Sequence, residues 1–277
     1  MNLVESLIAE LACASDSESK SKIILKLGEY SNDQVLKNLV KILSSEEDNK
    51  VKSHAADAII KIGGDKAVQL CLRLLRDNSW VTRMKAAEIL GELKNKKATL
   101  PLVRILRNDP EVSVKEWATI ALGKIKNKKA IKPLIQSLIT EESWQVRKES
   151  ALAIGNIRNK KAKDALTKAF YSDKECQVRW AAASALSIIN DNNENKKMFQ
   201  DLCQELLNII KTEKDETKIS AAAKTLGDIG NIEAAKIMFK TMKVSKELVR
   251  LEINLALCKM AKRYNYQSKD EFINKLK

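Results

Sequence analysis

The residues best placed to do chemistry in this 277-residue chain are cations, and they recur in register. Asn-Lys-Lys occurs three times at intervals of 32 residues, giving Lys96-Lys97, Lys128-Lys129 and Lys160-Lys161. Paired ammonium groups bind oxyanions, so the chemistry on offer is recognition of carboxylate or phosphate rather than bond making. About one period earlier the same place reads Gly64-Asp65-Lys66, so the later turns reverse a local charge. An acid there complements the positive N-terminus of the following helix, whereas each lysine opposes it by roughly a few tenths of a kcal/mol at low salt. A local preference broken three times in register points to a use outside folding. Arg73, Arg104, Arg107, Lys132 and Lys168 fall on the segments that follow these turns and extend the basic set. With stacked helices about 10 Å apart, the six lysines would span a ridge of roughly 20 to 30 Å. The same lysines also suit the C-terminal end of the preceding helix and a soluble surface, so a folding role stays open beside the binding one.

No other constellation competes. His54 is the one histidine, and it has no Cys or carboxylate at ligand spacing. The cysteines at 13, 71, 176, 203 and 258 form no CxxC pair, so neither a disulfide framework nor a zinc site is expected, and a reducing cytoplasm suits them. GxSxG, P-loop, dinucleotide and HExxH patterns are absent, so no catalytic residue, cofactor or metal is expected. The run Asn190 to Lys197 lacks the Asp alternation and the Gly of a calcium loop. Asn2 to Leu11 is too short and too acidic for a signal peptide, and no apolar run reaches the roughly 18 residues a membrane span needs. A formal charge of +14 and a pI near 9.4 favour acidic partners: a protein, nucleic acid or an anionic surface.

The elements that must position these cations follow from a repeat. Val146 to Leu166 (VRKESALAIGNIRNKKAKDAL) matches Val114 to Leu134 and Thr82 to Leu102, each 32 residues earlier. A fixed period of this length is the mark of a stacked array. Each copy predicts a first helix ending in Leu-Gly or an equivalent, a short turn and a second helix. The Gly register runs through Gly28, Gly91, Gly123, Gly155 and Gly227, with Ser187 and Cys258 in the same place. Asn95, Asn127, Asn159 and Asn231, with Gly64, stand where the first helix must stop and are expected to take the left-handed conformation of a helix end. Pro101 and Pro133 fit the first turn of a second helix, where a missing N–H costs little. The predicted architecture is all-α, a right-handed α-solenoid of about eight stacked antiparallel helix pairs. It comprises one domain: a capping helix and loop in 1–19, repeats in 20–260, a polar loop insertion at 190–197 and a closing helix in 264–277. Ser268 and Glu271 stand at capping-box spacing for that last helix.

The pattern Val-Arg, an alanine pair, Leu-Gly-x-Ile, a short turn, Ala and Pro-Leu resembles the HEAT repeat, specifically the short variety named after phycobilisome lyases. The resemblance covers roughly residues 20 to 260 and is strongest in Thr82 to Leu166. The family's turn commonly reads Gly-Asp, which Gly64-Asp65 keeps and the three Asn-Lys-Lys turns abandon. It implies a non-enzymatic scaffold or adaptor that binds a protein partner, here an acidic one, along its concave face and basic turn ridge. A nucleic-acid-binding solenoid that contacts phosphates through the same cations is the alternative. A bilin-lyase-like chaperone subunit is a third, carried by the family name alone.

Two further patterns are expected to be structural. Acids at repeat ends precede bases by six residues: Glu46 and Lys52, Asp77 and Arg83, Asp109 and Lys115, Glu141 and Arg147, Asp173 and Arg179. Each is expected to pair and pin adjacent repeats, worth about 0 to 1 kcal/mol if exposed. Trp80 and Trp144 share a position just before a first helix, while Trp117 and Trp180 lie within the start of one. Packing is the expected role, with stacking on bases or anchoring of a peptide as the alternative.

Overall fold

The computed structural model describes residues 3–45, 48–189, 196–213, 215–242 and 247–276. They fold as helices arranged in an all-α solenoid, in two compact units, Met1–Ile157 and Arg158–Lys277. No helix among the described residues is long and apolar enough to cross a membrane.

The first unit opens with α1 (Leu3–Cys13), which packs on α2 (Ser17–Leu27) and α3 (Asp33–Ser45). Three more pairs follow: α4 (Asn49–Ile62) with α5 (Gly64–Leu74), α6 (Trp80–Glu92) with α7 (Thr99–Asn108), and α8 (Val112–Ile125) with α9 (Ile131–Thr140). α10 (Trp144–Ile157) closes the unit. The second unit contains α11 (Lys163–Ser172), α12 (Cys176–Ile189), α13 (Lys196–Thr212), α14 (Glu216–Ile229), α15 (Ile232–Met242), α16 (Glu247–Arg263) and α17 (Lys269–Leu276). The polar run expected as a loop lies outside the described residues, except that Lys196 and Lys197 already belong to α13.

First and second helices differ in how they are buried. The first helix α8 packs on the second helix that precedes it, α7, and on the first helices on either side, α6 and α10, and so buries Val114, Ala118, Thr119, Ala121, Leu122, Gly123 and Ile125 around much of its circumference. A second helix is amphipathic: α7 buries Leu102, Val103 and Leu106 and leaves Leu100, Arg104 and Arg107 in solvent. That exposed stripe is where the basic residues stand.

Glycine in the Leu-Gly register sets the spacing of the first helices. A Cβ on Gly91 would lie 2.8 Å from the Ala121 backbone Cα, and one on Gly123 3.0 Å from that of Ala153. The neighbours are backbone and alanine, which cannot rotate away. Gly91→Ala is therefore expected to destabilise the fold by about 1 to 3 kcal/mol, seen as a lower denaturation midpoint in urea.

The left-handed position is one residue earlier than the sequence pattern suggests. Lys94, Lys126 and Arg158 have φ of 51°, 55° and 55°, in line with Gly63 at 64°. Asn95, Asn127 and Asn159 are extended and act instead as N-caps: their Oδ1 atoms accept from the N–H groups of Lys97, Lys129 and Lys161 at 2.9, 3.1 and 3.0 Å. Asn231 does the same for Ala234 at 2.8 Å. A short polar side chain satisfies an orphan helix N–H better than it relieves a carbonyl end, so the asparagines open helices rather than close them. Of the five residues expected to be left-handed, Gly64 alone has positive φ, at 81°.

At the other end Glu271 N–H donates to Ser268 Oγ (3.1 Å), the first half of a capping box, while Glu271 Oε2 accepts from Gln267 N–H (3.0 Å), one residue before the N-cap that the full box would use. α17 buries Phe272 and Ile273 against α15 and α16 and so takes the second-helix place of the last pair.

The acid–base ladder links repeats by a different route from the expected one. The arginines do not pair with the carboxylate six residues before them; they bind that acid's backbone. Arg83 Nη1 donates to the carbonyls of Asp77 and Asn78 (2.9 and 3.0 Å), Arg147 to those of Glu141 and Glu142 (3.0 and 2.8 Å), and Arg179 to that of Asp173 (3.1 Å). The ion pair goes to the next acid, 26 residues on: Arg83 Nε with Asp109 Oδ2 at 2.7 Å and Lys115 with Glu141 at 3.2 Å. The acids also close the turns that lead into the next helix, as Asp77, Asp109 and Asp173 accept from the N–H groups of Ser79, Glu111 and Glu175 at 2.9, 3.1 and 3.0 Å. A base near a second helix's end relieves its orphan carbonyls, which an i,i+6 side-chain pair would leave bare. Glu46, the first member of the ladder, lies outside the described residues.

Candidate basic interaction surface

Each Asn-Lys-Lys turn is a short 3-10 turn, Lys96–Ala98, Lys128–Ala130 and Lys160–Ala162, pinned by its buried alanine and its asparagine cap. All six lysines are exposed. In the first unit the two turns are tied to their neighbours. Lys97 Nζ lies 2.8 Å from Asp65 Oδ2 and Asn95 Nδ2 donates to Asp65 Oδ1 (3.1 Å), while Asn127 Nδ2 donates to Thr99 Oγ1 (3.0 Å). The hydrogen bond and charge of Lys97 hold the Asp65 carboxyl below its usual range. The single acid retained in these turns thus anchors one lysine. Lys96, Lys128 and Lys129, like Lys160 and Lys161 in the second unit, have no carboxylate partner among the described residues.

The second helices add to this. Arg73 on α5, Arg104 and Arg107 on α7, and Lys132 on α9 are exposed and unpaired among the described residues, as is Lys168 on α11 of the second unit. The structure adds cations that the sequence pattern left unmarked. Lys94, Lys126 and Arg158 carry a third exposed charge into each turn, and Lys37, Lys41 and Arg76 stand exposed on the second-helix side of the first unit. The signal was present as Lys-Asn-Lys-Lys, Lys-Asn-Lys-Lys and Arg-Asn-Lys-Lys, and as the column Lys41, Arg73, Arg104 at one-repeat intervals.

Most bases of the first helices behave in the opposite way, although Lys26, Lys50 and Lys52 have no carboxylate partner among the described residues. Arg83 pairs with Asp109, Lys85 with Glu88 (2.9 Å), Lys115 with Glu141, Lys124 with Glu92, Lys148 with Glu149 (2.9 Å), and Lys61 with Glu29. Paired charges cancel within a few ångströms, whereas unpaired like charges sum into a field that reaches about a Debye length, roughly 8 Å at physiological salt. In the first unit the positive potential is therefore concentrated on the second helices and the turns, where Lys66 and Lys97 are the paired exceptions.

The tryptophans lie on first helices. Trp180 is buried and its Nε1 has no partner among the described residues, Trp117 and Trp144 are half-buried, and Lys148 Nζ sits 5.8 Å from the Trp144 ring centroid. Trp80 departs from the packing expectation, with 44% of its surface exposed. It is the first residue of α6, and a side chain there leans back past the helix start, beyond the cover of its own helix. His54 Nδ1 is 2.9 Å from Ser21 Oγ, a contact between successive first helices. Burial pushes the Cys71 thiol up to about 12, which removes it as a nucleophile at neutral pH. No group of three or more His, Cys, Asp or Glu side chains that could hold a metal is present among the described residues.

Comparison with known proteins agrees with this geometry. A family model described as HEAT repeats matches residues 4–78, 68–141 and 131–205. A search of curated proteins finds no match. Among solved structures, karyopherin Kap121p bound to Nup53p is 14% identical, with a TM-score of 0.65 over 98% of this chain and 34% of that one. Kap121p bound to the SUMO protease Ulp1p gives 16%, 0.63, 99% and 34%. The CpcE–CpcF complex of phycocyanin lyase from Nostoc sp. PCC7120 gives 20% identity and a TM-score of 0.49 over 99% of this chain and 93% of that one. At these identities the likeness is one of fold, and the chain spans about a third of the karyopherin it superposes on. With the family model matched over most of its length and its helix pairs stacked in register, the chain belongs to the HEAT repeat family.

Proposed function

We propose that the protein is a non-enzymatic scaffold or adaptor whose second helices and turns in residues 1–157 bind an acidic protein partner. The observation that carries this is the bias of charge: most bases on the first helices are matched by carboxylates, while those on the second helices and turns, Lys66 with Asp33 and Lys97 with Asp65 excepted, stand exposed without them. Unmatched like charges repel one another and weaken the fold slightly, so their accumulation on one side is explained by a ligand that supplies the missing anions. The fold suits the role, since the karyopherin solenoid that it resembles is seen with protein partners. Lys160, Lys161, Arg158 and Lys168 offer the same chemistry in the second unit.

Binding of poly-glutamate, followed by fluorescence anisotropy with poly-glutamine as the neutral control, tests this. The expected result is affinity for poly-glutamate that falls about tenfold or more between roughly 50 and 200 mM salt. Equal affinity for the two polymers would contradict it. A random DNA duplex run alongside separates the nucleic-acid alternative: six phosphate contacts would give a log–log salt slope near −5, and tighter binding of duplex than of poly-glutamate would favour that alternative.

A further inference from the structure

We propose that a cavity beneath the first helix, α1, binds a medium-chain aliphatic carboxylate. The site is separate from the acidic-partner surface and goes beyond that reading, giving the first unit a small-molecule ligand of its own.

The cavity has a volume of about 270 Å³ and lies between α1, α3 and the first turns of α2 and α4. It exists because α1 is docked mainly through its first half. Val4 and Leu7 are buried there, whereas Ile8 and Leu11 further along are only half-buried. These two line the cavity with Ile42 of α3, also half-buried, and Val51 of α4. On α3 the lining residues Asn38, Lys41, Ile42 and Ser45 fall at i, i+3, i+4 and i+7, a single helical stripe that shares the cavity with α1. Aliphatic groups around a void lack partner atoms on one side and lose the dispersion contacts of a packed core. An aliphatic ligand supplies those contacts.

The polar lining selects the head group. Lys20 and Lys41 both line the cavity, and among the described residues no Asp or Glu does. Asn38 Nδ2 donates to the Gln34 carbonyl at 2.9 Å and Ser45 Oγ to that of Lys41 at 2.9 Å. The ammonium groups, each with several N–H bonds and no acceptor, are therefore the main donors toward a ligand. Two cations beside an aliphatic floor fit an anion that carries a hydrocarbon tail. A neutral amphiphile would fill the same space without answering the charge.

The volume sets the length. An apolar cavity of about 150 Å³ takes benzene, or roughly 25 Å³ per heavy atom. At that density a cavity of about 270 Å³ holds about eleven heavy atoms, which is a linear carboxylate of about eight or nine carbons. A phosphate monoester would use nearly half of that space on its head group and leave a tail too short for the aliphatic lining.

The test titrates the full chain at neutral pH with octanoate, octanamide and a series of linear carboxylates, followed by isothermal titration calorimetry. Octanoate is expected to saturate one site, with affinity rising about fourfold per methylene up to about nine carbons and levelling off beyond. Octanamide, equal in length but uncharged, is expected to bind roughly tenfold more weakly. Lys41→Gln should weaken octanoate about threefold or more and leave octanamide unchanged; because Lys41 is exposed, the urea midpoint should hold. Ile42→Trp, which fills the cavity from α3, should abolish binding of both, and the Lys41 result stands whether or not that variant folds. Absence of saturable octanoate binding would overturn the site. Equal binding of octanoate and octanamide would overturn the anionic head group, and affinity that climbs steadily past about twelve carbons would overturn the cavity in favour of an open surface. Poly-glutamate should not displace octanoate, and the chain with Arg73, Arg76, Arg104 and Arg107 replaced by glutamate should bind it as the wild type does. Displacement or loss there would assign the anion to the open basic surface and overturn the cavity, whereas octanoate binding alongside failure of poly-glutamate would overturn only the acidic-partner reading.

Discussion

Asp109→Ala is expected to destabilise the protein by about 3 to 5 kcal/mol, the largest effect of any single change considered. The Asp109 side chain is 3% exposed and that of Arg83 12% exposed. Their contact is two-pronged, Nε to Oδ2 at 2.7 Å and Nη2 to Oδ1 at 2.9 Å, and Oδ1 also accepts from the Glu111 N–H. Removing the carboxylate strands a guanidinium in a largely dry site and opens the turn that leads into α8. The interaction also holds Arg83 in its charged form, since the hydrogen bond to Asp109 raises the guanidinium above its usual range and outweighs the desolvation that lowers it. Urea denaturation of the full chain measures the loss. Asp65→Ala is the contrasting control: it removes a similar link between repeats, but its partner Lys97 and the acid itself are 62% and 63% exposed, so the midpoint should not measurably move. A large loss in both variants, or in neither, would show that burial does not separate these two links.

Reversing the four arginines 73, 76, 104 and 107 to glutamate should have the largest effect on binding and almost none on folding. Each replacement loses an attraction and adds a repulsion; at roughly 0.7 kcal/mol apiece the sum is about 3 kcal/mol, or ~100-fold in affinity for poly-glutamate. Exposed substitutions away from caps and cores usually change stability by less than about 0.5 kcal/mol, so circular dichroism and the urea midpoint should hold. A matched reversal on the first helices would confound folding with binding, because Arg83 and Lys115 are structural. Lys96, Lys128 and Lys160, reversed together, ask the same question of the turns, where none of the three has a carboxylate to lose among the described residues. Loss of affinity only in the arginine set would place recognition on the second helices, and loss in both would extend it to the turns.

Much of this molecule was legible before its coordinates. The 32-residue identity of Thr82, Val114 and Val146 segments, with Gly91 and Gly123 in register, fixes the helix pairs because only glycine permits the approach to Ala121 and Ala153 that the structure contains. Pro101 and Pro133 fall in the first turns of α7 and α9 as a proline must. What escaped was adjacency across repeats. Arg83 stands six residues after Asp77 in the chain, yet its carboxylate partner is Asp109, because stacking brings the end of one pair against the start of the next. The asparagines escaped for a local reason: a single residue can close one helix or open the following one, and hydrogen bonding to Lys97, Lys129 and Lys161 decided for opening. That shift moved Lys94, Lys126 and Arg158 into the left-handed position and out into solvent. The basic set was visible as composition, but its one-sidedness was not. Whether a lysine is paired depends on carboxylates about 30 residues away, such as Glu92 for Lys124 and Glu29 for Lys61, which no local pattern reveals.

The most direct measurement is capture from the native cell, after nuclease treatment, by the wild-type chain and by the variant with Arg73, Arg76, Arg104 and Arg107 reversed. A partner rich in Asp and Glu, retained by the wild type in the presence of nuclease and lost to the reversed variant, is the expected result. Retention of the same partner by both chains, or disappearance of every partner once nucleic acid is digested, would contradict it.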